Sequence, residues 1–152
     1  MTGPFDSVMV RTLLRPLVTA LQLFGVYVVI HGHYSPGGGF QGGVLLGAAM
    51  ILPFLVYGRR TDRPAGLIIV GQHGALALAA VGVMIFAGVG IVPMFAGAPI
   101  LDYAAIPMPG VDEPMRRSYG ILAIEVGVTL GVAGAATAIF HTLYEDFDEA
   151  GR

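Results

Sequence analysis

The sequence predicts an all-α membrane protein: four transmembrane helices, with a glycine-rich hairpin, or broken turn, between helices one and two. Three observations carry this. The 152 residues are 55% hydrophobic and only 12% charged, with a mean hydropathy of +0.77. A soluble domain of this size could not cover its surface with so few polar groups. Apolar runs of about 18 residues or more recur along the chain, each long enough to cross a bilayer. Between the first two, Pro36 is followed by Gly37, Gly38 and Gly39, a run that cannot continue a helix cheaply.

Segment one covers residues 12–30. Arg11 and Arg15 stand at its start, His31 and His33 at its end. Pro16 is expected in its first turn, where a missing amide does no harm. Segment two covers residues 40–57 and stops at Arg59-Arg60-Thr61-Asp62-Arg63-Pro64. Segment three, residues 65–92, is longer than a perpendicular span needs and is expected to tilt. In the loop that follows, residues 93–117, the prolines at 93, 99, 107, 109 and 114 exclude a long helix. Ile100, Leu101, Tyr103, Ile106 and Met108 make that loop apolar, so it is expected to lie folded on the membrane surface or against a partner. Segment four covers residues 118–143. Residues 144–152, with Glu145, Asp146, Asp148 and Glu149, form an acidic cytoplasmic tail. The whole is one transmembrane domain without a repeat.

Orientation follows from arginine asymmetry. Arg11, Arg15, Arg59, Arg60 and Arg63 lie on one side and Arg116 and Arg117 on the other, which predicts both termini in the cytoplasm and the hairpin outside. No cleavable signal peptide is expected, because the first apolar run is long and no small-residue cleavage site follows it.

Several function classes are excluded. There is no cysteine, hence no disulfide, thiol catalysis or zinc–thiolate site. No nucleophile set, metal-ligand set or cofactor motif appears, so a standalone enzyme is not expected; His31-x-His33 alone is weak as a metal pair. No strand precedes the glycine run and no lysine follows it, which argues against a nucleotide loop. The net charge of −2 points to no nucleic acid.

Glu125 is the acidic residue inside an apolar span. A carboxylate at that depth is costly unless it finds a partner or takes up a proton. It lies roughly 10 Å in from Ser118 along segment four, in the outer half of the bilayer, where His31 and His33 are its candidate partners. Two readings stand: a proton or cation relay element, or a satisfied buried carboxyl. His73, beside Gln72, and His141 fall at similar depth near the inner side. Either can pass protons near neutral pH, or simply sit at the interface. Gly39, Gly43 and Gly47 recur every four residues on one face of segment two. Gly127, Gly131 and Ala135 form a small-residue stripe on segment four, and Gly71, Ala75 and Ala79 one on segment three. All read as helix-packing faces. Four short helices are not expected to bury all of these in each other, which suggests partner subunits; a compact four-helix bundle is the alternative. The glycine run itself is either an ion-coordinating broken helix or a tight hairpin.

His31-Gly32-His33 followed by Pro36-Gly37-Gly38-Gly39-Phe40-Gln41-Gly42-Gly43, with Ile124-Glu125-Val126-Gly127-Val128 in the last span, resembles the MrpB (or MnhB) subunit of the Mrp-type multisubunit sodium/proton antiporters. The likeness covers nearly the whole chain. It implies a small subunit of a complex in the bacterial cytoplasmic membrane. That complex exchanges sodium for protons, with A, C, D, E, F and G type subunits and membrane lipid as partners. Sodium and protons are cargo; no cofactor is implied, and bound phospholipid is compatible with the small-residue faces. Pro36, Gly37, Gly38, Gly39, Phe40 and Gly43 carry the motif. Glu125, His31, His33 and His73 are the ion-path candidates, and Gly47, Gly127 and Gly131 join the packing positions. Glu125 stands where the family usually has aspartate, so any ion-coordination distance differs by one methylene. A purely structural role is the rival expectation, and the equivalent subunit of an ion-coupled hydrogenase complex is another.

Overall fold

A computed structural model of the chain describes residues 8–32, 37–57 and 66–150. Its elements are α1 (Val8–Ile30), α2 (Gly39–Tyr57), α3 (Gln72–Phe95), a 3-10 turn (Tyr103–Ala105) and α4 (Glu113–Ala150). All four of these helices are long and apolar enough to cross a membrane. The spans within them are Thr12–Ile30, Gly39–Tyr57, Gln72–Phe95 and Glu113–Glu145. The arginine-rich run at 59–64 lies outside the described residues.

The helix ends differ from the sequence expectation where side chains compete with simple hydropathy. Helix α1 begins at Val8, so Pro16 sits inside it rather than in its first turn. Segment three starts at residue 72, not 65. Residues 66–71 are non-helical and approach α1, where Gln22 is 1% exposed. Its Oε1 accepts from the Leu67 amide (2.6 Å) and the Ile68 amide (3.2 Å), and its Nε2 donates to the Ile68 carbonyl (2.6 Å). Gly66, at φ +101°, makes the turn into this segment, and a Cβ there would lie 2.6 Å from Val18 Cγ1. One buried amide thus replaces the hydrogen bonds a helix would have supplied. At its other end α3 runs through Pro93 to Phe95. It closes with Gly97 at φ +76°, whose amide donates to Met94 O (3.0 Å) while the Ala98 amide donates to Pro93 O (3.2 Å). This is a Schellman termination that satisfies the last carbonyls.

Helix α4 is longer than expected at both ends. Pro114 lies in its first turn, where the missing amide is harmless, and the Arg116 amide donates to Asp112 O (3.0 Å). Arg117 pairs with Glu113 one turn back (2.9 Å). At the other end no proline or glycine interrupts the acidic run before Gly151, and residues 144–150 of the acidic segment continue the helix. The 38 residues reach roughly 57 Å at about 1.5 Å per residue, against about 30 Å of hydrocarbon.

The loop between α3 and α4 folds back on its own chain. The Leu101 amide donates to Gly90 O (3.1 Å), Asp102 caps the 3-10 turn through the Ala104 amide (3.2 Å), and Tyr103 lies over Gly120. Ile106 is buried.

The helices stand in an open row, α1–α2–α4–α3. Helix α4 packs on α2 and α3, and α2 on α1, and α1 also touches α4 at a few positions; among the described residues no Cα pair within 8 Å links α1 to α3 or α2 to α3. This is not the closed four-helix bundle. The small-residue faces make the row possible. Gly39, Gly43 and Gly47 meet Glu125, Thr129, Val132, Ala133 and Ala136 of α4; Gly82 meets Gly127 and Gly131, and Gly134 meets Ala75 and Ala79. Most of these positions are packed within the chain, whereas a Cβ on Gly131 would meet nothing within 4 Å. Most of the close approach falls on the α2–α4 and α3–α4 pairs, which is where the small residues lie. Two stripes are also redrawn: Ala135 and Gly71 are exposed, and Gly134 and Gly82 take the close contacts.

Candidate functional site

Gly38, at φ +108°, turns the chain into α2, a conformation glycine adopts without the penalty a Cβ brings. Its amide donates to Val28 O (3.4 Å), and its carbonyl accepts from Gly42 (3.0 Å), the first helical bond of α2. Gly37 packs on Val28. The end of α1 and the start of α2 are thereby fastened side by side.

Glu125 reaches this junction from α4. A Cβ placed on Gly32 would lie 2.7 and 2.9 Å from its two carboxylate oxygens, and one on Gly38 would lie 3.5 Å from Oε1. Gly39 touches the Glu125 backbone itself. The carboxylate occupies a slot that exists because three glycines carry no side chain. The slot adjoins the N-terminus of α2, whose exposed amides and dipole favour negative charge, and the C-terminal end of α1, whose carbonyls favour positive charge. A half-buried carboxylate between two such ends can hold a proton or a small cation.

Thr129, one turn along, is 5% exposed. Its hydroxyl donates towards Glu125 O (2.7 Å) and across the interface to Gly39 O (3.1 Å). Neither Thr129 nor Gln22 belongs to a motif that sequence reasoning singles out. Both nonetheless leave a signal: Gln22 is a lone amide in an apolar span, and Thr129 stands at i+4 from Glu125, on the same helix face.

The other candidates separate. His31, at the hairpin end, is exposed; its ring stacks on Tyr27 with centroids 4.0 Å apart, and Nδ1 lies 3.2 Å from Tyr27 O. His33 and Pro36 lie outside the described residues. His73 is exposed in the first turn of α3. His141 Nε2 lies 3.2 Å from Val70 O, and Gln72 Nε2 donates to Thr142 Oγ1 (3.3 Å). These contacts put His73 and His141 at one level, roughly 24 Å along α4 from Glu125. The structure does not bring His73 to the carboxylate. Phe40 is 64% exposed, so it faces outward beside a groove of about 450 Å³ between α1 and α2. Gly131 contributes its backbone to Gly82, but a Cβ on Gly131 itself would meet nothing within 4 Å. Among the described residues no group of three His, Cys, Asp or Glu is arranged to hold a metal ion.

Comparison of the sequence with known proteins points to one family. A family model described as a domain related to the MnhB subunit of Na+/H+ antiporter matches residues 9–138. The chain is 31% identical over 145 residues to the B subunit of the Na(+)/H(+) antiporter of Alkalihalophilus pseudofirmus, covering 93% of this chain and 94% of that one. It is 29% identical over 150 residues to the Bacillus subtilis protein of the same name (93% and 95%). It is also 34% identical over 140 residues to a putative antiporter subunit mnhB2 of Staphylococcus haemolyticus (91% and 94%). The match to the family model reaches into all four helices and includes Gly37 to Gly43 and Glu125, and the chain belongs to the MnhB-related family.

Proposed function

We propose that the chain is a small transmembrane subunit of a multisubunit Na+/H+ antiporter, and that Glu125 belongs to its ion path. The family membership supports the first statement. One observation carries the second: a carboxylate within an apolar span, fitted into a glycine slot between the ends of two helices. Intramembrane carboxylates so placed mark proton and cation routes, and broken helix ends are where transporters bind ions. A single carboxylate neutralises one positive charge, so proton and sodium compete for it. That competition is the elementary requirement of exchange. The remaining sodium ligands would come from backbone carbonyls at the hairpin or from neighbouring subunits, which makes the path shared between chains.

The arginine asymmetry supports a cytoplasmic-membrane orientation with both termini inside and the hairpin outside. The names of the relatives favour an antiporter over an ion-coupled hydrogenase.

The test is sodium-dependent proton exchange in everted vesicles carrying the whole complex, comparing wild type with Glu125→Gln, with a native gel to confirm assembly. Exchange falls sharply in an intact complex if the carboxylate carries ions. Unchanged exchange and an unchanged pH profile would leave the subunit as scaffold.

A further inference from the structure

The Glu125 side chain is long and would be mobile on an isolated helix, yet its carboxylate sits at a definite place between Gly32 and Gly38. Something must hold the start of α2 against α4 at that level. Close packing of Gly39 on the Glu125 backbone brings the two helices together there, and a directional bond adds to it. Thr129 supplies that bond. Its single hydroxyl hydrogen is shared between Glu125 O at 2.7 Å and Gly39 O at 3.1 Å, ninety residues apart in sequence from the threonine. Bonding to the carbonyl four residues back is ordinary for a helical threonine. The second acceptor, on another helix, is not. Gly43 makes it possible: a Cβ there would lie 2.9 Å from Thr129 O, so α2 approaches closely enough for the hydroxyl to reach across. The two carbonyls it joins belong to the residue that carries the carboxylate and to the first residue of the helix the carboxylate adjoins. Each carbonyl also accepts the amide four residues on in its own helix, so the hydroxyl adds a directional link between α2 and α4 at this level, and its removal would loosen that link.

We propose that Thr129 is a positioning residue: its hydroxyl sets the distance between the Glu125 carboxylate and the N-terminus of α2, and through it the balance between proton and sodium at Glu125. This rests on the reading of Glu125 as an ion-path group.

The experiment uses the assembled complex in everted vesicles and reads two quantities, the half-saturating sodium concentration and the pH profile of exchange. Thr129→Val keeps the shape and removes the hydroxyl. It is expected to raise half-saturating sodium roughly three- to tenfold, the size of one net hydrogen bond, and to shift the pH profile in a complex of normal yield. Thr129→Ser, which keeps the hydroxyl, is expected to restore both. In a Glu125→Gln background, Thr129→Val should add nothing, because two residues acting through one group are not additive. A Thr129→Val complex with wild-type half-saturation and pH profile overturns the proposal, and so does a serine variant that behaves like valine. If valine blocks assembly, Thr129→Ala carries the same comparison without a methyl group in the place of the hydroxyl, and failure of that variant too would reduce Thr129 to packing. The underlying reading fails separately, when Glu125→Gln alone leaves exchange unchanged.

Discussion

At the scale of single residues, the polar groups inside the spans do the specifying. Gln22 satisfies two amides and a carbonyl of the segment before α3. Its replacement by leucine leaves Leu67 and Ile68 without that acceptor; both residues are exposed, so the loss is about 0.5–1.5 kcal/mol for each hydrogen bond. Gln22→Leu is therefore expected to lower the melting temperature of the purified complex and to expose residues 66–71 to protease, while Leu23→Ala, on an exposed side chain, should do neither. Limited proteolysis with mass identification of the cut sites checks both. Gln22 and Thr129 are each visible in the sequence as polar residues in apolar surroundings. Hydropathy alone does not say what they bond across the fold, since the partner of each on another segment lies more than forty residues away.

At the scale of helix pairs, glycines are not equivalent. The contact between α3 and α4 rests on Gly82, where any Cβ would press on the backbone of Gly127 and Gly131. Gly82→Ala forces the helices apart and is expected to cost about 1–3 kcal/mol or more. Gly131→Ala meets nothing and trades a flexible residue for a good helix former, so a gain of about 0.5–1 kcal/mol is expected. Complex yield on a native gel, with thermal melts of each variant, separates the two. Gly43→Leu should abolish assembly, because a Cβ there already lies 2.9 Å from both Val132 Cβ and Thr129 O. The four-residue spacing of Gly39, Gly43 and Gly47 shows the face of α2 from sequence. The sequence pattern draws the face of α4 one position off, with Ala135 in place of Gly134, because a helical stripe of small residues can be read in two registers and the choice depends on how α3 crosses.

At the scale of the molecule, an open row of four helices buries little of itself. Only 17% of the α3 span is buried within the chain, and 28% of the α1 span. Such a subunit is expected to be stable in company. Expressed alone and extracted in mild detergent, it should elute as a broad aggregate and be cut by protease, whereas the co-expressed complex should give a single peak. The orientation makes a further prediction. Green fluorescent protein fused at the C-terminus should fluoresce, and alkaline phosphatase inserted in the loop at 107–110 should be active, if both termini are cytoplasmic. The reverse pattern would invert the outer and inner assignments and place Glu125 nearer the cytoplasm.

Composition and hydropathy were sufficient for the all-helical membrane class and the number of spans, because the bilayer demands long apolar helices and penalises any other backbone. Glu125 stood out for the same reason, as a charge where charge is expensive. The row arrangement, the glycine slot around the carboxylate, the Gln22 clamp and the true ends of α3 and α4 came from three-dimensional contact. They depend on which side chain meets which backbone across helices distant in sequence, and a periodic pattern along one segment carries no information about the crossing of another.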